Sequence, residues 1–163
     1  MDPAVLIPTP DPLPVHWGWF QGLLFSTFYL HIVLMNVMFG TAFIGMVNHL
    51  RRGTASNICN KTISQSLPFI IAFTVNFGVA PLLFVQVLYG HFLYTSSILM
   101  ACFWLSIVFL LVVAYSLAYV YKEWYAQIDR SRLFLAMAVT MLLACIAFFF
   151  VNNLSLMQNP GSW

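Results

Sequence analysis

The positive charge of this chain is confined to two short stretches. All six Lys and Arg residues flank two loops, and they are Arg51, Arg52, Lys61, Lys122, Arg130 and Arg132. Between and beyond them the sequence stays apolar for more than ~20 residues at a time, which is the length that a helix needs to cross a bilayer. The sequence therefore predicts an all-α integral membrane protein.

The remaining charge supports this prediction and excludes other classes. Only 6% of the residues are charged, whereas a soluble domain carries roughly 25%. The four carboxylates, Asp2, Asp11, Glu123 and Asp129, all lie outside the apolar stretches, which argues against an ion path built on buried acids. The basic residues determine membrane orientation, so no nucleic-acid partner is expected.

The hydrophobic pattern predicts one four-helix transmembrane domain over residues 17–163. An extended, Pro-rich outer arm over residues 1–16 precedes it. The predicted helices cover about 17–50, 63–94, 97–121 and 132–157.

Two further expectations concern the second helix and the orientation of the bundle. We expect a tight turn at Tyr94–Ser97 after this helix and a kink within it at Pro81. Short loops rich in Lys and Arg remain in the cytoplasm, so both termini are expected on the outer side of the membrane.

His31 is the most informative polar residue within the apolar stretches. It lies about 21 Å along the first helix from Trp17, at ~1.5 Å per residue. A neutral imidazole at this depth needs a metal, a haem iron or a hydrogen-bond partner. Three interpretations remain open: an axial haem ligand, a histidine bonded to Asn or Ser of another helix, and a quinone contact.

This chain would supply only one histidine ligand to a haem bound at His31. His91 lies only about 8 Å from its end of the second helix, so the two imidazoles sit at different depths. The sixth position of the iron would stay open or be filled by Met35 or by a partner subunit. Gly40 and Gly78 are small residues that let a flat ligand or a neighbouring helix approach the backbone.

The other polar side chains gather toward the predicted outer ends of the helices. They are Gln86, His91, Asn153 and Gln158. They predict either a quinol site or a docking surface for an outside electron carrier, or they form hydrogen bonds between helices.

Three short motifs in order carry a family resemblance. His31 precedes Gly40 in the first helix, and the other two motifs are Asn76-Phe77-Gly78-Val79-Ala80 leading to Gly90, and Asn153 leading to Met157-Gln158-Asn159-Pro160. In these motifs and their spacing the chain resembles the amino-terminal four-helix part of cytochrome bd quinol oxidase subunit I. The resemblance implies that His31 binds a haem b, and that further membrane subunits supply the remaining ligands.

The chain also departs from that family. The family's third helix carries two buried Glu residues that serve the oxygen-reducing site, whereas the stretch Ser97–Tyr121 contains no acid. The family also has further helices and a large quinol-binding loop after the fourth helix, which we expect a second membrane subunit to replace. The missing acids count against oxygen reduction more than against haem binding.

Together these observations predict a subunit of a respiratory complex in the bacterial cytoplasmic (inner) membrane. It would pass electrons between the quinone pool and partner redox subunits, and it would not be active alone. A periplasmic c-type cytochrome or an iron–sulfur protein is the expected outside partner. The alternative is a haem-free structural subunit that anchors a redox complex.

Overall fold

The computed structural model describes residues 7–8, 12–51, 54–127 and 131–163 and shows four long helices in them. These are α1 (Trp17–Arg51), α2 (Thr54–Leu99), α3 (Ala101–Glu123) and α4 (Arg132–Gln158). A short 3-10 turn, Pro160–Ser162, follows α4. All four helices are long and apolar enough to cross a membrane, which confirms the predicted all-α, four-helix class. The side on which the termini lie stays a prediction.

Part of the predicted arm and two of the basic residues lie outside the described residues. The arm residues concerned are 1–6 and 9–11, and the basic residues are Arg52 and Arg130. The described arm residues, 7–8 and 12–16, form neither helix nor strand. The first helix begins at Trp17, and the boundary of the arm stays a prediction.

The first two helices are much longer than a bilayer requires. At ~1.5 Å per residue, the 35 residues of α1 span about 52 Å, and the part of α2 that precedes its non-helical Tyr89 spans about as much. The hydrocarbon core is only about 30 Å thick. Both helices must therefore tilt or extend beyond the hydrocarbon, whereas α3, with 23 residues, fits it closely.

The turn predicted at Tyr94–Ser97 is wrong. The helix α2 continues through this segment to Leu99, and only Met100 separates it from α3. The hydroxyls of Thr95 and Ser96 donate hydrogen bonds to carbonyls of the preceding turn at 2.8 and 3.0 Å. Because the helix itself satisfies these polar side chains, they do not force a loop.

The helix α2 is interrupted at Tyr89. Tyr89 has non-helical dihedral angles (φ −132°, ψ 30°), a break that was not predicted. The kink expected at Pro81 stays a prediction. The Tyr89 hydroxyl donates to Gln21 Oε1 of α1 at 3.3 Å.

The helices pack as two neighbouring pairs around a small-residue centre. The most extensive contacts join α1 to α2 and α3 to α4, and α2 also touches α4 across the bundle. Ala114 and Ala118 are fully buried at the centre, where small side chains let helices approach closely. The central core cluster consists of Met38, Ala42, Leu67, Ile71, Ala114, Ala118, Val139 and Leu143.

The two ends of the bundle differ in charge. We call one the basic end, because Arg51, Lys61, Lys122 and Arg132 all lie there. The opposite end, where α1 begins and α4 finishes, is the terminal end.

Candidate functional site

The imidazole of His31 is held by the backbone of the neighbouring helix. Its Nδ1 lies 3.1 Å from the carbonyl oxygen of Thr74 in α2. A carbonyl can only accept, so Nδ1 carries the hydrogen and donates it, and Nε2 is left with a free lone pair. Within the described part of the chain, Nε2 has no hydrogen-bond partner. A metal-bound histidine has this arrangement, in which the second ring nitrogen donates to a carbonyl or carboxylate.

Gly78 makes this arrangement sterically possible. A Cβ added at Gly78 would lie 2.7 Å from Cε1 of His31, 3.1 Å from Nδ1 and 3.3 Å from Nε2. The ring therefore lies across the glycine backbone. Thr74 and Gly78 are one helical turn apart on the same face, so the missing side chain at 78 is what lets the ring reach the carbonyl of 74.

The hydroxyl of Thr74 ties the same two helices together. Its Oγ1 lies 2.8 Å from the carbonyl of Ile70 in its own helix and 3.3 Å from the carbonyl of Leu34 in α1. Thr74 therefore orients His31 through its carbonyl and joins the helices through its hydroxyl. The sequence analysis did not single out Thr74, although its position one turn before Gly78 places it on the same face.

The two other residues that were assigned to the haem site on α1 have different surroundings. Met35 is one turn from His31 and packs against the central core cluster. Gly40 lies on the opposite face of α1 from His31, at about 100° per residue. A Cβ added at Gly40 would meet nothing within 4 Å. The residues that position the His31 ring, Thr74 and Gly78, therefore both belong to α2.

A cleft of about 240 Å³ lies at the terminal end, where the break in α2 meets the amino-terminal arm. The predicted residues Gln86 and His91 both line it. The other lining residues include Pro8, Pro12, Leu13, Tyr89 and Gly90. Pockets for drug-sized ligands begin at about 300 Å³, so this cleft suits a single ring or head group. The arm residues were not expected there.

The other two residues of the predicted polar group lie apart from the cleft. Asn153 is fully buried, and its Nδ2 donates to Ser97 Oγ at 3.3 Å. This bond joins α4 to the end of α2. Gln158 is the exposed last residue of α4. The structure therefore brings together two of the four predicted residues.

A second histidine ligand from this chain does not lie at the level of His31. His31 contacts α2 at Gly78, and His91 lies about 20 Å further along that helix. The described residues also contain no group of three or more His, Cys, Asp or Glu side chains able to hold a bare metal ion. A lone, oriented imidazole fits a haem, whose porphyrin supplies four of the iron ligands.

The chain matches no protein-family model, and no curated protein or solved structure matches it. The likeness to cytochrome bd subunit I therefore rests on the three sequence motifs. His31 of the first motif and Gly78 of the second are in contact.

Proposed function

We propose that this chain is a haem-b-binding membrane subunit of an electron-transfer complex, with His31 as the axial ligand. The observation that supports this most directly is the bond from His31 Nδ1 to the Thr74 carbonyl, which leaves Nε2 ready to bind iron. A bound haem would supply one-electron transfer. Thr74 fixes the tautomer and Gly78 makes room for the ring.

The open side of His31 implies a partner subunit. One face of the imidazole lies against Gly78, and α1 exposes large apolar side chains on either side of it, such as Phe28 and Val33. A second membrane subunit covering this surface would enclose the cofactor and supply the sixth ligand. This explains why the chain alone offers only half of a haem pocket.

The cleft at the terminal end is the proposed quinol site. Gln86 offers a hydrogen-bond donor and an acceptor to a quinol hydroxyl, and His91 can take up a proton released on oxidation. Gln86 lies about 12 Å along α2 from Gly78, so electrons would have a short path to the His31 site. They would leave to a partner redox subunit, which we propose to be a c-type cytochrome or an iron–sulfur protein.

The proposed location is the bacterial inner membrane. The basic end carries the four described Lys and Arg residues, and such ends stay in the cytoplasm. The terminal end, with the cleft, the start of α1 and the end of α4, would then face the periplasm.

The decisive variant is His31→Ala in the purified complex. We expect the b-type signal in a pyridine haemochrome spectrum to be lost, because the axial nitrogen is gone. The control is His16→Ala, since His16 stacks on Trp17 and accepts the Gly18 N–H at the start of α1. A haem signal that survives His31→Ala, or a wild-type complex without haem b under full haem supply, would contradict the proposal.

A haem-free anchor subunit is the second candidate. The bonds from His31 and Thr74 to backbone carbonyls also act as polar links between α1 and α2. In this case His31→Ala would leave assembly and the spectra of the complex unchanged.

A further inference from the structure

A second group of polar side chains, three buried and one half-buried, lies at the basic end, and neither proposed site uses it. We call it the inner polar layer: His49, Asn60, Ser64 and Tyr121. His49 Nε2 lies 2.7 Å from the Tyr121 hydroxyl, and Tyr121 is 1% exposed. The layer lies between the basic loops and the central core cluster.

The side-chain amide of Asn60 is buried with its hydrogen-bonding groups unsatisfied. Its side chain is 1% exposed, yet neither Oδ1 nor Nδ2 has a hydrogen-bond partner. A buried amide without partners costs several kilocalories per mole, about 2–7 depending on the reference state. Such a group is normally satisfied by an ordered water or another small polar ligand.

We propose that the inner polar layer is a water-binding site at the basic end, closed toward the bilayer centre. Water would bond to Asn60 and to the Ser64 hydroxyl, which donates to the Lys61 carbonyl at 2.8 Å and can still accept. This holds whether or not the chain binds haem.

The surroundings favour water over other ligands. Arg51, Lys61, Lys122 and Arg132 lie around this end, and their positive charge opposes a bound metal cation. The Asn60 atoms have almost no accessible surface, so a ring-sized ligand does not fit.

The central core cluster closes the layer on its inner side. Leu67 is 2% exposed, and Ile71 and Val139 are fully buried. An apolar layer without polar atoms does not hold water.

Cysteine labelling tests the proposal in the full chain, with Cys59, Cys102 and Cys145 first replaced by Ala. Asn60→Cys and Ser64→Cys are compared with Leu67→Cys, which is equally buried in the apolar layer. Hydrogen peroxide, a thiol reagent close to water in size, should modify the first two about tenfold faster or more, because only wetted thiols form the reactive thiolate. Equal, slow modification of all three would overturn the proposal.

The unaltered chain provides a second measurement in case the variants do not fold. With ¹⁵N-labelled asparagine, the Asn60 side-chain signal should exchange hydrogen with water faster than that of Asn153, whose Nδ2 is bonded to Ser97. The two signals are assigned in the unaltered chain through their correlations with the backbone amides of Asn60 and Asn153. Protection of Asn60 equal to or greater than that of Asn153 would overturn the proposal.

Discussion

His31 and His49 lie on the same helix but are held in different ways. His31 is bonded to a backbone carbonyl and rests on a glycine. His49 is bonded to the phenol of Tyr121, and its ring lies 5.9 Å from the Tyr121 ring and 6.4 Å from the Tyr125 ring. The first histidine is positioned by backbone, the second by aromatic side chains.

The difference bears on what each residue can do. A phenol can donate or accept, so the bond between His49 and Tyr121 does not fix one tautomer. A carbonyl accepts only, which fixes the hydrogen of His31 on Nδ1 and the lone pair on Nε2. The terminal half of the bundle therefore orients one imidazole nitrogen, whereas the basic end holds a histidine–phenol hydrogen bond in which either partner can donate.

The largest effect is expected for a substitution at Gly78, which should disturb the region of His31 and leave the basic end unchanged. In Gly78→Ala the new Cβ would lie 2.7 Å from Cε1 of His31, so the imidazole ring must move away from residue 78. Overpacking of this kind costs about 1–3 kcal/mol, or roughly 5- to 150-fold in haem affinity if it falls entirely on the cofactor. Haem content per chain, measured by pyridine haemochrome, checks this.

Gly40→Ala is the matched control, because its Cβ would meet nothing within 4 Å. Haem content should stay at the wild-type level in this variant. Equal losses in both variants would show that glycine at 78 has no special role.

A smaller effect is expected in the cleft. Gln86→Leu removes one hydrogen-bonding side chain from its lining, which should weaken quinol binding by about tenfold, since one such bond contributes about 1.4 kcal/mol. Titration of the purified complex with a short-chain quinol measures this. Gln158→Leu, exposed at the end of α4, should leave the affinity unchanged, and a drop in that variant alone would place the quinol elsewhere.

The smallest effect is expected at the basic end. Tyr121→Phe removes the hydroxyl that contacts His49 and should lower stability by about 1 kcal/mol, with no change in haem content. Thermal unfolding in lipid nanodiscs checks the first part and the haem spectrum the second. Tyr94→Phe, at an exposed position, is the control, and loss of haem in Tyr121→Phe would mean that the two regions are coupled.

The sequence predicted the helices better than it predicted their contacts. Apolar length and basic loops were enough to identify four helices, because lipid permits few alternatives. His31 and Gly78 were each singled out, but their contact depends on how α1 and α2 are aligned along each other. Nothing in the spacing of either residue within its own helix determines this alignment.

The polar group at the terminal end shows a second limit. Gln86, His91 and Asn153 were grouped by depth alone, but depth does not determine the direction in which a side chain points. Asn153 faces Ser97 inside the bundle, whereas the first two face the cleft. The break at Tyr89, which lines that cleft, lies where α2 contacts Gln21 of α1. The sequence of α2 does not contain this contact.

The position of the His31 ring against Gly78 also has a practical consequence. Since backbone shields one face of the imidazole, an incoming group reaches Nε2 only from the lipid side or from an adjoining protein. Detergent tails compete for the same approach, so extraction alone would empty the proposed haem half-pocket. Spectra recorded in native membranes before any solubilisation are therefore the fair baseline for every variant of this chain.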